Sequence, residues 1–391
     1  MQAQLRGEYT YVAAGKGGLR VYDTAQIDHK GFSERITTAP VSRFGQKFWV
    51  PTKDAKAIAS PSTLANDPLR NRLMRNKEGN QAWVPSPSVY IVAAGGPVPN
   101  DSSASYLQNY KEYLALPEAE RDKQPNPLVN EEQLINPLYA FIYVADAEEG
   151  LVLVGAGTLL DGDPLNNYLK RAPIKGEADG AWNPNGVLDG ANYIITAGNY
   201  AYITTETKLV IVDLSKVNPF GESELSVVKT FDLKHPKAVA VQFRYAFVVD
   251  EEGMKVIDVT VPESAHLVEG AETPLEHAHS VYLARTYAYI ANGKEGIAIV
   301  DITNPEKPGA AMKYNDGGKI SDAHDVKVGM TNASVFAYVA DGKNGVHIIE
   351  LMTPELDTKY GGFSPAIDVA SIKTIAHFHT KGPAPEHFQG T

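Results

Sequence analysis

Six short segments of the sequence have a polar or charged residue on one or both sides of an alanine. They are Gln2-Ala3-Gln4, Asp54-Ala55-Lys56, Gly190-Ala191-Asn192, Lys237-Ala238-Val239, His277-Ala278-His279 and Asp322-Ala323-His324. Imidazole nitrogens and carboxylate oxygens bind divalent metals, whereas imidazoles together with lysines suit small anionic or polar ligands. These segments therefore form a candidate binding site if the fold brings them to one place.

A repeat follows each of these segments and would position them. Each copy has an aromatic residue and, after it, a run rich in β-branched residues that ends 11 or 12 positions later. An example is Tyr202-Ile-Thr followed by Leu209-Val-Ile-Val-Asp213. The other copies have their aromatic residue at Tyr11, Tyr143, Phe247, Tyr289 and Tyr338. The run ends on an acidic residue except in the Tyr143 copy, which has Gly155 there. Aromatic positions 202, 247, 289 and 338 lie 45, 42 and 49 residues apart, a period typical of propeller blades.

Each copy contains the signals of four strands. A glycine just before the second run, such as Gly296, supplies the positive φ of a tight hairpin turn. The alanine-opened segment forms a strand before the aromatic one, and a fourth strand such as Lys373–His377 follows. The sequence thus predicts an all-β fold, a β-propeller of four-stranded antiparallel blades. Six blades are favoured, and seven are possible because Val89–Ala94 also has the pattern of a strand.

Two stretches break the period within what we predict to be a single propeller domain spanning residues 1–391. Residues 61–137 form a long insertion in blade 2, either a lid or docking surface or a passive segment, with a short helix predicted within Ser103–Lys123. Residues 160–188 form a smaller insertion, and residues 381–391 a C-terminal tail. Because the first strand is an inner one and the last an outer one, the ring is expected to close without an exchanged strand.

The run Leu209–Asp213 reads LVIVD, and the sequence resembles the LVIVD-repeat proteins over most of residues 1–60 and 138–380. The resemblance implies a bacterial or archaeal β-propeller that is exported or surface-located and has no assigned enzymatic activity. Some similar chains are joined to, or encoded near, multihaem c-type cytochromes. It therefore implies a protein partner, with a multihaem cytochrome or another redox protein as candidate, and an extracytoplasmic location that is periplasmic, cell-surface or secreted.

Composition excludes several classes of function. The absence of cysteine removes disulfides, thiolate metal sites, a cysteine nucleophile and covalent haem attachment within this chain. A formal net charge of −11 argues against nucleic acid as a partner. No stretch reaches the roughly 18 apolar residues of a membrane span, and the residues after Met1 lack the apolar core of a signal peptide.

The innermost strand of a propeller blade lines the central channel, so the alanine-flanking residues are expected to ring one mouth. The candidate ligand-binding residues are His277, His279, Asp322, His324, Asn192, Asp54, Lys56 and Lys237. A metal would be held by His279, His324 and Asp322. The alternative is a hydrated polar plug, which we favour because the lysines would oppose a cation. The aspartates that end the runs, Asp23, Asp213, Asp258 and Asp301, are assigned to turn hydrogen bonds.

No nucleophile, zinc-protease or phosphate-loop motif is present. The sequence therefore favours a non-catalytic binding or scaffold propeller of the cell envelope or extracellular space, which docks a protein partner and has no resident cofactor. The alternative is a metal-dependent enzyme, a hydrolase or lyase, that uses a divalent metal at the channel-mouth His and Asp residues. A third hypothesis is carbohydrate binding by exposed tyrosine and tryptophan side chains.

Overall fold

Each repeat of the sequence folds into one antiparallel sheet in the computed structural model. The structure describes residues 2–6, 9–23, 49–61, 72–75, 81–84, 115–117, 120, 137–156, 169–177, 179–218, 221–331, 334–353, 366–380 and 387–389. Within these residues the sheets form six blades with the same strand order, so the predicted six-bladed, all-β propeller is confirmed. The strand predicted at 89–94 lies outside the described residues. So does the helix predicted within 103–123, apart from residues 115–117 and 120.

The first three blades run from the inner to the outer strand. Blade 1 contains β1 (Gln2–Arg6), β2 (Tyr9–Ala13), β3 (Leu19–Asp23) and β4 (Trp49–Val50). Blade 2 begins with β5 (Ala55–Ala59), is interrupted by the hairpin β6 (Arg72–Arg75) and β7 (Gln81–Val84), and continues with β8 (Phe141–Asp146), β9 (Gly150–Gly155), β10 (Lys170–Arg171) and β11 (Ala181–Trp182). Blade 3 contains β12 (Tyr193–Ala197), β13 (Tyr200–Thr204), β14 (Lys208–Lys216) and β15 (Glu224–Asp232). Strands β10 and β11, from the predicted smaller insertion, both pair with β9 and supply the outer edge of blade 2.

The last three blades repeat the arrangement. Blade 4 contains β16 (Ala238–Gln242), β17 (Tyr245–Asp250) and β18 (Gly253–Asp258), with β19 (His266–Leu267) and β20 (Thr273–Pro274) along its outer edge. Blade 5 contains β21 (Ser280–Ala284), β22 (Tyr287–Ala291), β23 (Ile297–Asp301) and β24 (Met312–Tyr314). Blade 6 contains β25 (Asp325–Thr331), β26 (Ser334–Ala340), β27 (Val346–Met352) and β28 (Lys373–Phe378). Short 3-10 helices lie at Pro137–Ala140, Pro184–Gly186, Pro262–Ser264, Asp316–Gly318, Gly342–Asn344 and Val369–Ser371.

The hydrophobic core lies between neighbouring blades. Every residue of β8, β17 and β22 is buried, because these second strands are covered on both faces by adjacent sheets. One apolar cluster joins blades 1 and 2, another joins blades 2 and 3, a third extends over blades 3 to 5, and a fourth joins blades 5 and 6. Among the described residues, no helix is long and apolar enough to cross a bilayer.

A C-terminal strand completes the circle of inner strands. Successive inner strands contact one another from β1 to β25, and β29 (His387–Gln389) contacts β25 and pairs in parallel with β1. The four strands of each blade come from consecutive parts of the chain, so no outer strand is exchanged between the first and last blades. Closure instead uses a fifth strand at the inner edge of blade 1.

Two sets of turn residues fix the blade geometry. The aspartates in the third strands accept a backbone N–H two positions later at 2.8 Å, as Asp213 does from Ser215, Asp258 from Thr260 and Asp301 from Thr303. The assignment of this column to turn chemistry is confirmed at these three positions. The side chain of Asp23 lies outside the described residues.

The second set is the glycine that precedes the third strand. At Gly296 the φ angle is +75°, and a Cβ would lie 2.3 Å from the carbonyl oxygen of Tyr314 in the outer strand. Gly345 repeats this geometry in blade 6, where a Cβ would lie 2.1 Å from the carbonyl oxygen of Phe378. Glycine is therefore required both by the left-handed backbone and by the close approach of the outer strand.

Candidate functional site

The inner strands begin at one end of the channel and finish at the other. Their first residues surround one opening, which we call the channel mouth. The turns that follow their last residues lie on the opposite side, which we call the strand-end face. Hydrogen bonds identify the equivalent residues at the channel mouth. The N–H groups of Asn192, Lys237, His279 and His324 donate to the carbonyls of Thr204, Val249, Ala291 and Ala340, each two positions after the aromatic residue of its repeat.

This register corrects the alignment of blades 1 and 4 that the alanines suggest. In blade 4 Pro236 takes the place of the alanine, so Lys237, and not Val239, is the equivalent of His279. In blade 1 Gln4 pairs with Tyr11, the aromatic residue of the repeat. Gln4 therefore lies three positions further along its inner strand than the residues at the channel mouth. The alanine pattern is misleading because small residues also recur inside the inner strands. The alanine pattern makes Lys237 the equivalent of His277, and this alignment is wrong.

Four of the predicted residues come together in blades 4 to 6. The rings of His279 and His324 have centroids 4.7 Å apart and are inclined by 52°. Lys237 Nζ lies 3.5 Å from His279 Nδ1, and His324 Nε2 lies 3.1 Å from Asp322 Oδ1. Carboxylate, imidazoles and ammonium thus form one row of polar groups along half of the mouth.

The other predicted residues are held by partners of their own. Lys56 pairs with Asp54 at 2.8 Å in blade 2. The Asn192 side chain donates to the carbonyls of Thr205 and Pro236 and so links blade 3 to blade 4. The backbone N–H of His277 donates to Asn292 Oδ1 at 3.1 Å.

A metal site at the mouth stays a prediction. In the part of the chain that the structure describes, no group of three or more His, Asp or Glu side chains is arranged to hold a metal ion. His279, His324 and Asp322 are neighbours, but they do not converge on a common point. The ammonium group of Lys237 beside His279 would also repel a cation. The arrangement suits hydrogen bonding to polar or anionic groups better than metal coordination.

The sequence did not predict a half-buried lysine inside the channel. Lys327, on the inner strand of blade 6, lies 3.4 Å from the buried Asp325 carboxylate and 5.2 Å from the centre of the Tyr282 ring. Burial by itself lowers the pKa of Lys327, but Asp325 and the hydroxyls of Tyr193 and Tyr282 more than offset this, so its pKa lies above the usual value. The channel therefore carries a permanent positive charge next to a buried negative one.

A cluster of three histidines on the outer strands of blade 6 was also missed. His347 is buried, and its Nε2 lies 3.1 Å from Asp341 Oδ2. Its ring stacks on that of His377, which meets the edge of the His379 ring with centroids 4.3 Å apart. Burial and the neighbouring His377 lower the pKa of His347, although Asp341 acts in the opposite direction. The spacing of His377 and His379 was the available signal, but their meeting with His347 depends on the pairing of β27 with β28.

The strand-end face carries the most exposed aromatic side chain among the described residues. Phe243 is 92% exposed and has a φ angle of +53°, in the left-handed region. The same turn position is occupied by Gly198 in blade 3 and Arg285 in blade 5, both with φ of +57°. Because a left-handed backbone costs a non-glycine residue roughly 1–2 kcal/mol, blades 4 and 5 retain strain that blade 3 avoids.

Hydrogen bonds connect this turn to the next two blades. The Gln242 side chain donates to the carbonyl of Arg285 at 2.8 Å, and Arg285 Nη2 lies 2.7 Å from the sulfur of Met330. Met330 is itself 59% exposed. Beneath these residues a groove of about 290 Å³ opens between blades 5 and 6. Phe243, Arg285 and Met330 thus form a continuous surface, which ends in an apolar groove.

The LVIVD repeat matches the sequence at five places, over residues 2–26, 190–224, 235–273, 277–316 and 322–351. This chain is a propeller that contains LVIVD repeats. The matched segments begin blade 1 and cover most of blades 3 to 6. Blade 2 of this LVIVD-repeat propeller lies outside the matches, and yet β5, β8 and β9 pair as the other blades do.

Three solved structures illustrate what the fold resembles. YCF48 bound to a D1 peptide is 14% identical, with a TM-score of 0.36 over 54% of this chain and 60% of that one. PorZ, a surface component of the type-IX secretion system of Porphyromonas gingivalis, is 13% identical, with a TM-score of 0.38 over 89% of this chain and 31% of that one. The Cps50 (Swd1) β-propeller domain of Myceliophteria thermophila is 9% identical, with a TM-score of 0.46 over 89% of this chain and 82% of that one.

The chain thus spans less than two thirds of the first two of these structures. Similarities of this size carry no argument about function. No curated protein sequence matches the LVIVD-repeat chain.

Proposed function

We propose that this LVIVD-repeat propeller is a non-catalytic binding protein that docks a protein partner on its strand-end face. The observation that supports this most directly is Phe243, an aromatic ring that is 92% exposed on a left-handed backbone. Glycine serves the same turn in blade 3 without strain, so the turn does not need a phenylalanine. A side chain that adds strain and contributes little to the core is best explained by a contact outside the chain.

The surroundings of Phe243 support the same proposal. Arg285 and Met330 continue the surface, and aromatic residues, arginine and methionine are the side chains enriched in the centres of protein interfaces. Trp, Tyr and Arg dominate interface hot spots because they combine a large contact area with few rotatable bonds or several hydrogen-bond donors. The channel mouth offers a second polar surface, but most of its side chains are paired with one another or with backbone carbonyls.

The narrower form of the proposal concerns the partner and the location. Resemblance to chains that are associated with multihaem c-type cytochromes makes a cytochrome or another redox protein the first candidate. The haems would belong to the partner, because this chain has no cysteine for covalent attachment. Such a pairing would be extracytoplasmic, at the cell surface, in the periplasm or outside the cell.

Photo-crosslinking in cells tests the proposal. p-Benzoylphenylalanine would replace Phe243, and in a matched control it would replace Phe378, which is 57% exposed on the outer strand of blade 6. We expect a discrete crosslinked protein from position 243 and not from position 378. Haem absorbance of the crosslinked band then tests the narrower form. Equal crosslinking from both positions, or none from 243, would contradict docking on this face.

A further inference from the structure

The groove between blades 5 and 6 has the dimensions of a pocket for one large side chain. Its walls are Tyr282, Tyr287 and Tyr289 from blade 5, and Val328, Val335 and Met352 from blade 6. Its volume of about 290 Å³ lies just below the roughly 300–1,000 Å³ that small-molecule pockets occupy. Tyrosines and aliphatic side chains line it, so burying an apolar group there removes apolar surface from water on both partners.

A charged group stands at the rim of this groove. The Arg285 guanidinium approaches the thioether sulfur of Met330, which is a weak hydrogen-bond acceptor. A guanidinium has five N–H donors and can bind a carboxylate through two parallel hydrogen bonds. Arg244, exposed in the turn of blade 4, is a second positive charge on the same face and lies near the Asp258 carboxylate. At the rim itself Arg285 is complementary to an acidic group.

The order of these features along the surface defines the shape of the occupant. Phe243 lies on one side of Arg285, to which it is joined through Gln242, and the groove lies on the other. A ligand that covers both sides must continue past the arginine. A chain terminus that ended at Arg285 would leave Phe243 uncovered, whereas an extended internal segment would reach both.

We propose that the strand-end face binds a linear, internal segment of the partner that carries an acidic residue between two large apolar ones. One apolar side chain enters the groove between blades 5 and 6, the carboxylate pairs with Arg285, and the second apolar side chain packs on Phe243. The inference rests on the proposed docking function and names the chemistry of the segment that is docked.

Synthetic peptides test this directly with the whole protein. The probe is a fluorescently labelled, N-acetylated and C-amidated peptide in which glutamate lies between two leucines, flanked by glycine and serine. Matched peptides carry glutamine or lysine for the glutamate, serine for both leucines, or a free C-terminal carboxylate directly after the first leucine. Binding is followed by fluorescence anisotropy.

We expect the glutamate peptide to bind, and the glutamine and lysine peptides to bind at least tenfold more weakly. Arg285→Gln should remove the preference for glutamate, and Ala284→Phe, at the lining of the groove, should weaken binding at least tenfold. Arg285→Gln changes a half-buried turn residue without enlarging it, so it reports on binding even if Ala284→Phe disturbs folding. Lys294→Gln, at an exposed position in the turn between β22 and β23, is the control and should leave the affinity unchanged.

Three results would overturn the inference. They are no binding at millimolar peptide, equal affinity for the glutamate and glutamine peptides, or tighter binding of the peptide with the free C-terminus. Crosslinking at position 243 together with any of these would leave the docking function standing and reject the acidic segment. Absence of crosslinking, with selective peptide binding, would instead count against a protein partner in the cell.

Discussion

The imidazole ring of His347 lies face to face with that of His377, with centroids 4.2 Å apart and planes inclined by 10°. The two residues are cross-strand partners on β27 and β28, and His347 is almost fully buried. Two neutral imidazoles can stack in this way. Two protonated ones would repel each other at the outer edge of blade 6.

This pair makes the stability of blade 6 depend on pH. The pKa of His347 in the folded protein is below its ordinary value of 6.5, because of burial and the nearby His377, although Asp341 and Asp316 partly oppose this. The unfolded chain therefore takes up the proton first as the pH falls. The stabilisation is complete above pH 6.5 and is lost as the pH falls through 6.5 towards the lower folded pKa.

Urea unfolding between about pH 8 and pH 5 measures this effect. We expect the free energy of unfolding of the original protein to decrease as the pH is lowered from about 8 to about 5. The decrease should be smaller in His347→Gln. His266→Gln changes an exposed histidine on the outer edge of blade 4 and should keep the original slope. Identical slopes in all three proteins would show that His347 does not contribute to the pH dependence of stability in this range.

Gly296 should tolerate alanine much less well than another glycine of similar backbone. Gly317 has a φ angle of +63°, and a Cβ added there would have no neighbouring atom within 4 Å, so Gly317→Ala should cost only the left-handed strain of about 1–2 kcal/mol. At Gly296 the added Cβ also meets the Tyr314 carbonyl oxygen, so the loss of stability should be larger. Equal losses in the two variants, measured by urea unfolding, would contradict the close approach of the outer strand.

Replacing Phe243 by glycine should stabilise the protein while it weakens docking. Relief of roughly 1–2 kcal/mol of left-handed strain outweighs the additional backbone entropy of glycine, about 0.5–1 kcal/mol, so a small net gain is expected. Phe378→Gly, within the outer strand of blade 6, is the control and should lose stability. Thermal unfolding and crosslinking yield would be measured together. A Phe243→Gly protein that is less stable would mean that the ring packs on the fold.

Lys327 and Asp325 should be coupled in stability. Lys327→Met removes the cation beside a buried carboxylate, which typically costs about 3 kcal/mol or more. Changing Asp325→Asn in the same chain should recover part of that loss, because no buried charge is then left without its counterion. A double-mutant cycle in urea measures the interaction free energy. An interaction energy near zero would show that the two side chains act independently.

Zinc, manganese or calcium should leave the melting temperature unchanged. The reason is the ammonium group of Lys237, which lies 3.5 Å from His279 Nδ1 and opposes a cation at the channel mouth. Lys237→Met removes that charge and is the variant in which a metal effect would first be seen. A rise in melting temperature with zinc in the original protein, lost in His324→Gln, would favour the metal-dependent hydrolase or lyase instead.

The blades themselves could be predicted from the sequence because their contacts are local. Strands within a blade are consecutive, the turns between them are short, and the glycine and aspartate columns act on backbone only a few residues away. A period of 42 to 49 residues between the aromatic positions therefore led directly to six four-stranded sheets. The hydrogen bonds of Asp213, Asp258 and Asp301 could be predicted for the same reason.

Contacts between blades required the tertiary structure, because they depend on register. A two-residue difference in blade 4 brings Lys237 to His279, and the alanine pattern concealed it. The pairing of β27 with β28 decides that His347 meets His377, and β29 joins β1 from the far end of the chain. Phe243 is one of 12 phenylalanines in the sequence, and only its turn, with a left-handed backbone on the rim of a closed ring, distinguishes it as an exposed one.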